Sequence, residues 1–343
     1  MNARCLLITL LFILSACGDV TYRYYTRIND DGTVFKRVIA EGDSSQVYKN
    51  PFSFDINEGW NLSYDKMIDK ENGDTIFMAI AEKTFESVGA VNQSLYLSND
   101  STHKDNIKSE LKSSFAWFYN FHEYTETYLQ RFPFHHLSID DYLNEEEYAY
   151  LFAGDTSCVE TMTDLEKEAF DEQGELKFWK FMTASLGIEY FNLLNNYASA
   201  NGKGALGGGD SLFVMQIFES SIEDGPELEE LCQLMDKRLG SSWVSEAYCD
   251  DYFAEFERQI DDEVLLLNET EYFAEAETPG LIYDTNAVSI EGSKAKWHFK
   301  RGNFAYRDYS LILKYRTTNY WAFVVVGVLV IILVLSFILK RKT

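Results

Sequence analysis

Two adjacent histidines followed by two adjacent aspartates are the residues whose chemistry could hold a metal ion. His135 and His136 precede Asp140 and Asp141 in the chain, and imidazole and carboxylate groups both suit zinc. Adjacent side chains on an extended segment point to opposite sides, however, which is poor geometry for chelation. The four residues are therefore weak metal-ligand candidates. The sequence predicts no soluble cofactor here.

Runs of carboxylates could supply general acid–base groups or calcium ligands. Such runs occupy residues 145–147 and 261–263, but they lack the glycine and aspartate spacing of an EF-hand loop. The pattern is typical of a solvated helix face, although binding of divalent cations by the acidic residues stays open. The sequence also contains no phosphate-binding glycine loop, no zinc-protease helix motif and no serine-hydrolase elbow. We therefore assign no catalytic residue.

The N-terminal residues form an export signal. A lone positive charge at Arg4 precedes an apolar run over residues 5–14 and the sequence Leu14-Ser15-Ala16-Cys17, which is typical of a secretory signal peptide. This tetrapeptide resembles the lipobox of bacterial lipoproteins. The resemblance implies that residues 1–16 are removed and that Cys17 carries a covalent lipid such as palmitate.

The C-terminal residues predict a membrane anchor. Residues 322–339 contain no charge and would span about 27 Å as a helix, close to the thickness of a hydrocarbon core. Tyr320 and Trp321 precede this run, and a basic tail at residues 340–343 follows it. By the positive-inside rule the tail stays in the cytoplasm. We expect a transmembrane helix over residues 318–339 and an ectodomain, residues 17–317, outside the cytoplasmic (inner) membrane.

Three cysteines remain after the lipid site, namely Cys158, Cys232 and Cys249. Residues 226–239 read as a helix that ends at Gly240, and a second helix follows. An antiparallel helical hairpin would bring Cys232 and Cys249 level, so they are a candidate disulfide. Two reduced, buried thiols are the alternative that the pattern leaves open.

Charge and periodicity divide the ectodomain in the same way. Residues 138–277 contain 34 acidic and 7 basic residues and have helical periodicity. Residues 17–137 and 278–317 alternate like strands, with turn residues between them. The sequence predicts an α+β fold, in which an antiparallel sheet formed by the N- and C-terminal flanks carries an acidic α-helical insertion.

The net charge of −25 excludes nucleic acid as a partner, because phosphate binding needs a basic face. We expect a non-enzymatic envelope lipoprotein that binds or organises a partner at the outer face of the cytoplasmic membrane. The acidic insertion would recognise that partner, an envelope protein with a basic surface. A membrane-tethered hydrolase that uses carboxylates of the insertion, or an assembly or export chaperone, are the alternatives.

Overall fold

The computed structural model describes residues 20–49, 51–52, 54, 56, 59–68, 73–95, 106–220, 228–266 and 270–341. The strands in these ranges are β1 (Thr21–Ile28), β2 (Val34–Gly42), β3 (Asn61–Ile68), β4 (Thr75–Phe85), β5 (Ile107–Ala116), β6 (Tyr119–Tyr128), β7 (Glu271–Glu277), β8 (Leu281–Thr285), β9 (Ser289–Glu291), β10 (Lys294–Lys300) and β11 (Tyr309–Thr318). The helices are α1 (Ser44–Val47), α2 (Val88–Leu95), α3 (Glu145–Tyr148), α4 (Asp164–Ala200), α5 (Gly208–Ser220), α6 (Leu228–Leu239), α7 (Trp243–Cys249), α8 (Ala254–Leu266) and α9 (Tyr320–Lys340). The α+β class predicted from the sequence is confirmed.

The larger sheet has seven strands in the order β3-β4-β2-β1-β7-β10-β9. Its neighbours are antiparallel except for β1 and β7, which run parallel. The β1–β2 turn includes Gly32 at a φ of 84°, a conformation that glycine adopts without a steric penalty. Alternation sets the faces: Tyr24 and Ile28 are buried, whereas the residues just before them, Arg23 and Arg27, are exposed.

The smaller sheet has four antiparallel strands in the order β5-β6-β11-β8 and faces the larger one. Tyr128 of β6 is buried between the sheets, where its ring centroid lies 5.8 Å from that of Tyr24 and 6.0 Å from that of Tyr272. Both chain flanks therefore contribute strands to both sheets. The predicted single sheet is a two-layer sandwich, because buried alternating faces on two sheets cover each other.

Helices α4 to α8 form a second body around the 37-residue helix α4. A capping box of Thr163 and Glu166 starts this helix. Its second half is buried: Tyr190 contacts the rings of Phe218 on α5 and Phe256 on α8 at 5.6 and 5.2 Å between centroids. Helix α5 crosses at Gly187, where a Cβ atom would lie 2.8 Å from the Met215 sulfur.

Two strand predictions are wrong. Alternation over residues 91–97 predicts a strand, but the described part of this segment is helical and lies in α2, where Val88, Val91 and Leu95 are buried. The alternation from Leu111 to Phe121 and the aromatic shift to Tyr124 and Tyr128 predict one long strand with a bulge, but Trp117 adopts a φ of 45° and turns the chain from β5 into β6. The change of aromatic phase between Phe121 and Tyr124 lies within β6, whose register is continuous, so the aromatic side chains change from one face of the strand to the other.

The end of the helical insertion lies earlier than residue 277. Residues 271–277 are strand β7, which lies between β1 and β10 within the larger sheet. Its acidic residues alternate with buried Tyr272, Ala274 and Ala276, so the charge belongs to one face of a strand. The helices described in the insertion thus end with α8.

The helical body and the sandwich share a dense contact. Tyr306, which follows β10, is buried in the helical core and stacks on Phe132 with 4.3 Å between ring centroids. Gly302 meets the chain after α3 so closely that a Cβ atom would lie 1.9 Å from the carbonyl oxygen of Phe152. Tyr148 donates a hydrogen bond to the Gly302 carbonyl at 2.8 Å. These contacts fix the two bodies against each other.

Candidate functional site

A polar cleft of about 980 Å³ lies where the helical body meets the sandwich. It is lined by all four residues proposed as weak metal ligands, His135, His136, Asp140 and Asp141, and also by Arg307. One wall of the cleft could therefore be predicted from the sequence. The opposite wall could not, because it comes from the segment between β10 and β11, far along the chain.

Arg307 is the centre of this cleft. Its guanidinium donates two hydrogen bonds to Glu145, at 2.7 and 2.8 Å, and one to Asp140 at 3.1 Å. It also lies 3.8 Å from the centre of the Tyr148 ring. The hydrogen bond from Arg307 is the main reason why the pKa of Glu145 is lowered. The cation is therefore already neutralised by the protein's own carboxylates.

His136 is likewise engaged by the protein. Its Nδ1 atom lies 2.9 Å from a carboxylate oxygen of the buried Glu189, and its Nε2 atom lies 3.2 Å from the amide nitrogen of Asn192. The backbone N–H of His135 donates to the same Glu189 oxygen at 2.6 Å. Within the ranges given above, no group of three or more His, Cys, Asp or Glu side chains is placed to hold a metal ion.

The three cysteines among the described residues, Cys158, Cys232 and Cys249, are free thiols. Cys232 is buried on α6, and Cys249 is exposed at the end of α7. Burial is the main reason why the pKa of Cys232 is raised to about 12, and Asp236, Glu257 and Cys249 contribute further. The predicted helical hairpin is present as α6 and α7. The Asp236 carboxylate accepts hydrogen bonds from the backbone N–H groups of Val244 and Ser245, both at 2.9 Å. A Cys232–Cys249 disulfide stays a prediction, and Cys17 lies outside the described residues.

A serine–histidine contact occurs in the smaller sheet. Ser113 Oγ lies 2.8 Å from His122 Nδ1, and His122 Nε2 lies 3.2 Å from the Thr317 hydroxyl. Burial lowers the pKa of His122. A catalytic triad needs a carboxylate on the far side of the imidazole, and a threonine hydroxyl occupies that position. This contact therefore joins three strands without forming a triad.

The first half of α4 presents an uncovered apolar stripe, which we call the α4 stripe. It consists of Leu165, Leu176 and Trp179, which are 78%, 50% and 49% exposed. At about 100° per residue the three lie on one side of the helix. Phe170 and Phe178 point the other way and contact rings of the helical body.

The α4 stripe continues a buried surface. Farther along the same side of α4, Tyr190 and Leu194 are covered by the shorter helices. The helical spacing in the sequence predicts one stripe that contains Leu176, Trp179, Tyr190 and Leu194, and only its second half is buried. The first half stays open because α4 is about 55 Å long, whereas the 13-residue helices α5 and α8 are each about 20 Å long.

Carboxylates lie on and beside the α4 stripe. Glu168, Glu172 and Glu175 are exposed on the same half of α4; at about 100° per residue Glu172 lies on the stripe between Leu165 and Leu176, and the other two lie to one side. An apolar surface that carries carboxylates suits a partner with apolar and basic residues on one face.

Helix α9 has the composition of a membrane span. It contains 21 residues with a mean hydropathy of 3.3 over its most apolar window, and 6% of that window is buried. It is long and apolar enough to cross a membrane. Only Asn319 separates it from the end of β11, so a single residue connects the smaller sheet to this helix.

No protein-family model matches the chain, and no curated protein matches it in sequence. Among solved structures, the folded domain of the LppM protein of Mycobacterium tuberculosis, determined by NMR, is similar over 88% of this chain and 92% of that chain. The sequence identity is 7% and the TM-score is 0.29. A likeness at this level carries no inference about the fold or function of the chain.

Proposed function

We propose that the protein is a non-enzymatic envelope lipoprotein that binds a basic amphipathic helix of another envelope protein along the α4 stripe. Lipid on Cys17 and the helix α9 would hold it in the cytoplasmic membrane, with residues 17–317 at the outer face. The single observation that carries the proposal is the open, acidic half of α4.

Continuity argues for a helical partner. The second half of α4 already binds helices of its own chain on the same side, and the exposed half repeats that surface without a cover. An amphipathic helix laid on this side would extend the existing packing. Its apolar residues would cover Leu165, Leu176 and Trp179.

Charge argues for a basic partner. Residues 138–266 contain 30 acidic and 7 basic residues, whereas the rest of the chain is nearly balanced. A surplus of this size attracts cationic surfaces over about a Debye length and raises their rate of association. In the polar cleft Arg307 pairs with Asp140 and Glu145, so we assign the negative charge of the helical body to recognition of a partner rather than to catalysis.

The test measures binding of a synthetic amphipathic helix of leucine and lysine to the full chain in lipid nanodiscs. Replacing Glu168, Glu172 and Glu175 by Gln should weaken binding about tenfold, since three surface pairs of about 0.5 kcal/mol each are lost. Leu176→Ser should weaken it as well, and binding should weaken as salt rises.

A matched control removes the same charge elsewhere in the helical body. Glu229, Glu230 and Glu246 are exposed on α6 and α7, and their replacement by Gln should leave the affinity nearly unchanged. Equal losses in both triple variants would show that only the overall charge matters. In that case the α4 stripe would not be the binding site.

A further inference from the structure

An aromatic cluster joins the tip of the β5–β6 hairpin to the start of α9. The ring of Phe115 stacks on Trp321 with 6.1 Å between centroids, and Trp117 contacts the same indole at 5.5 Å. Phe118 contacts Phe323 at 4.7 Å. The hairpin tip and the first turn of the apolar helix therefore form one surface.

Hydrogen bonds hold this surface in place. The backbone N–H of Asn319 donates to the Phe118 carbonyl at 2.8 Å, and the Asn319 side chain donates to the Trp117 carbonyl at 2.9 Å. Asn120 donates in turn to the Asn319 side-chain oxygen at 2.8 Å. Asn319 is buried, so the link between strand and helix is rigid at the point where the two meet.

Large apolar side chains at this end of the smaller sheet are exposed. Phe115 is 60% exposed and Trp117 is 45% exposed. On the other face of the sheet, Leu281 of β8 is exposed opposite Arg316 on β11. These side chains and Trp321 lie at the end of the smaller sheet from which α9 starts, and we call them the collar.

We propose that the collar lies in the headgroup region of the bilayer that α9 crosses and seats the ectodomain on the membrane. The proposal rests on the proposed membrane anchorage by α9. Since only Asn319 separates β11 from α9, the collar and the start of the helix lie at the same level. Trp and Tyr favour this level, where an apolar ring meets a wet polar edge.

The collar also has a cation suited to lipid phosphates. The guanidinium of Arg316 lies 4.9 Å from the centre of the Tyr119 ring, and Tyr119 contacts Phe323 of α9 at 6.4 Å. A second copy of the chain would have to enter the same headgroup layer in order to cover this surface. A lipid occupant needs no such step.

The test uses fluorescence of the full chain in liposomes that contain lipids brominated near the headgroup, because bromine quenches indoles in contact with it. Three variants are compared, Trp117→Phe, Trp321→Phe and the control Trp179→Phe, whose indole lies on α4 away from the collar. We expect Trp117→Phe to remove about half of the quenched intensity, since Trp117 and Trp321 would share the interface. The control should leave the quenched intensity unchanged.

The outcomes distinguish the collar proposal from the proposed membrane anchorage by α9. If Trp321→Phe lowers the quenched intensity and Trp117→Phe does not, α9 is in the bilayer but the collar is not, and the present proposal is wrong. If neither change affects quenching, the membrane anchorage itself is wrong. Bromine at the acyl-chain ends should quench Trp117 less than bromine near the headgroup, and the reverse order would also overturn an interfacial position.

Discussion

A buried ion pair occupies the centre of the sandwich. Lys36 of β2 contacts Glu126 of β6, and both side chains are almost fully buried. Tyr124 donates a hydrogen bond to the same carboxylate at 2.6 Å, and Thr26 and Tyr128 lie at 3.5 and 3.4 Å from it. Burial, followed by the charge of Glu126, raises the pKa of Tyr124 well above its usual value. The carboxylate is thus satisfied by groups from both sheets.

Removing one partner of this pair should be costly. Lys36→Met leaves a buried charge at Glu126, and we expect it to lower the free energy of unfolding by about 3–5 kcal/mol. The double variant Lys36→Met, Glu126→Gln carries no such charge and should be more stable than the single variant. Thermal unfolding of the full chain in detergent, followed by near-UV circular dichroism, measures both. A single variant as stable as the unchanged protein would contradict a buried pair.

At the scale of elements, a buried triad joins α8 to the sandwich. Glu263 on α8 accepts hydrogen bonds from Arg131, which follows β6, at 2.6 and 3.1 Å. It also accepts bonds from Arg301, which follows β10, at 3.1 and 3.2 Å. Burial alone raises the pKa of Glu263, but the charges of Arg301 and Arg131 outweigh it and lower the pKa overall.

The triad predicts an acid-sensitive junction. Because the folded pKa of Glu263 lies below the unfolded value of about 4.3, its stabilisation is present above that pH and is lost as pH falls through the folded pKa. Glu263→Gln should cost about 3–5 kcal/mol at neutral pH, since two buried arginines lose their counter-charge. The stability gap between the two proteins should be widest above about pH 5 and should narrow below about pH 4. A constant gap across a pH series of urea titrations would contradict this role for Glu263.

Local signals explain which elements could be predicted. The β1–β2 and β3–β4 hairpins follow from alternation and from turns that contain Gly32 and Gly73, both at positive φ. Strand β7 could not be predicted from the sequence for two reasons. Its outward residues are acidic, like those of the helices before it, and its parallel partner β1 lies near the other end of the chain. The polar cleft could not be predicted for a similar reason, since Arg307 and Glu145 are far apart in the sequence and come together only in the folded chain.

At the scale of the whole molecule, the helical body is part of the fold rather than an appendage. A linker in place of residues 138–277 would remove β7 from within the larger sheet and leave Arg131 and Arg301 without Glu263. It would also expose Tyr306, which is buried against helical residues. The acidic body therefore moves with the sandwich, and the α4 stripe keeps a fixed position relative to α9.

Variants of Cys17 and of α9 test the proposed membrane anchorage. A spanning helix holds a protein far more firmly than a single lipid chain, so Cys17→Ser should abolish lipid labelling yet leave the protein in the alkali-resistant membrane fraction. Removing residues 320–343 from the unchanged protein should leave attachment by lipid, with a part released by alkali. The combination of both changes should release the ectodomain fully. A soluble Cys17→Ser protein would show that α9 does not span the membrane, because no other element of the described ectodomain has the length and apolar composition to replace it.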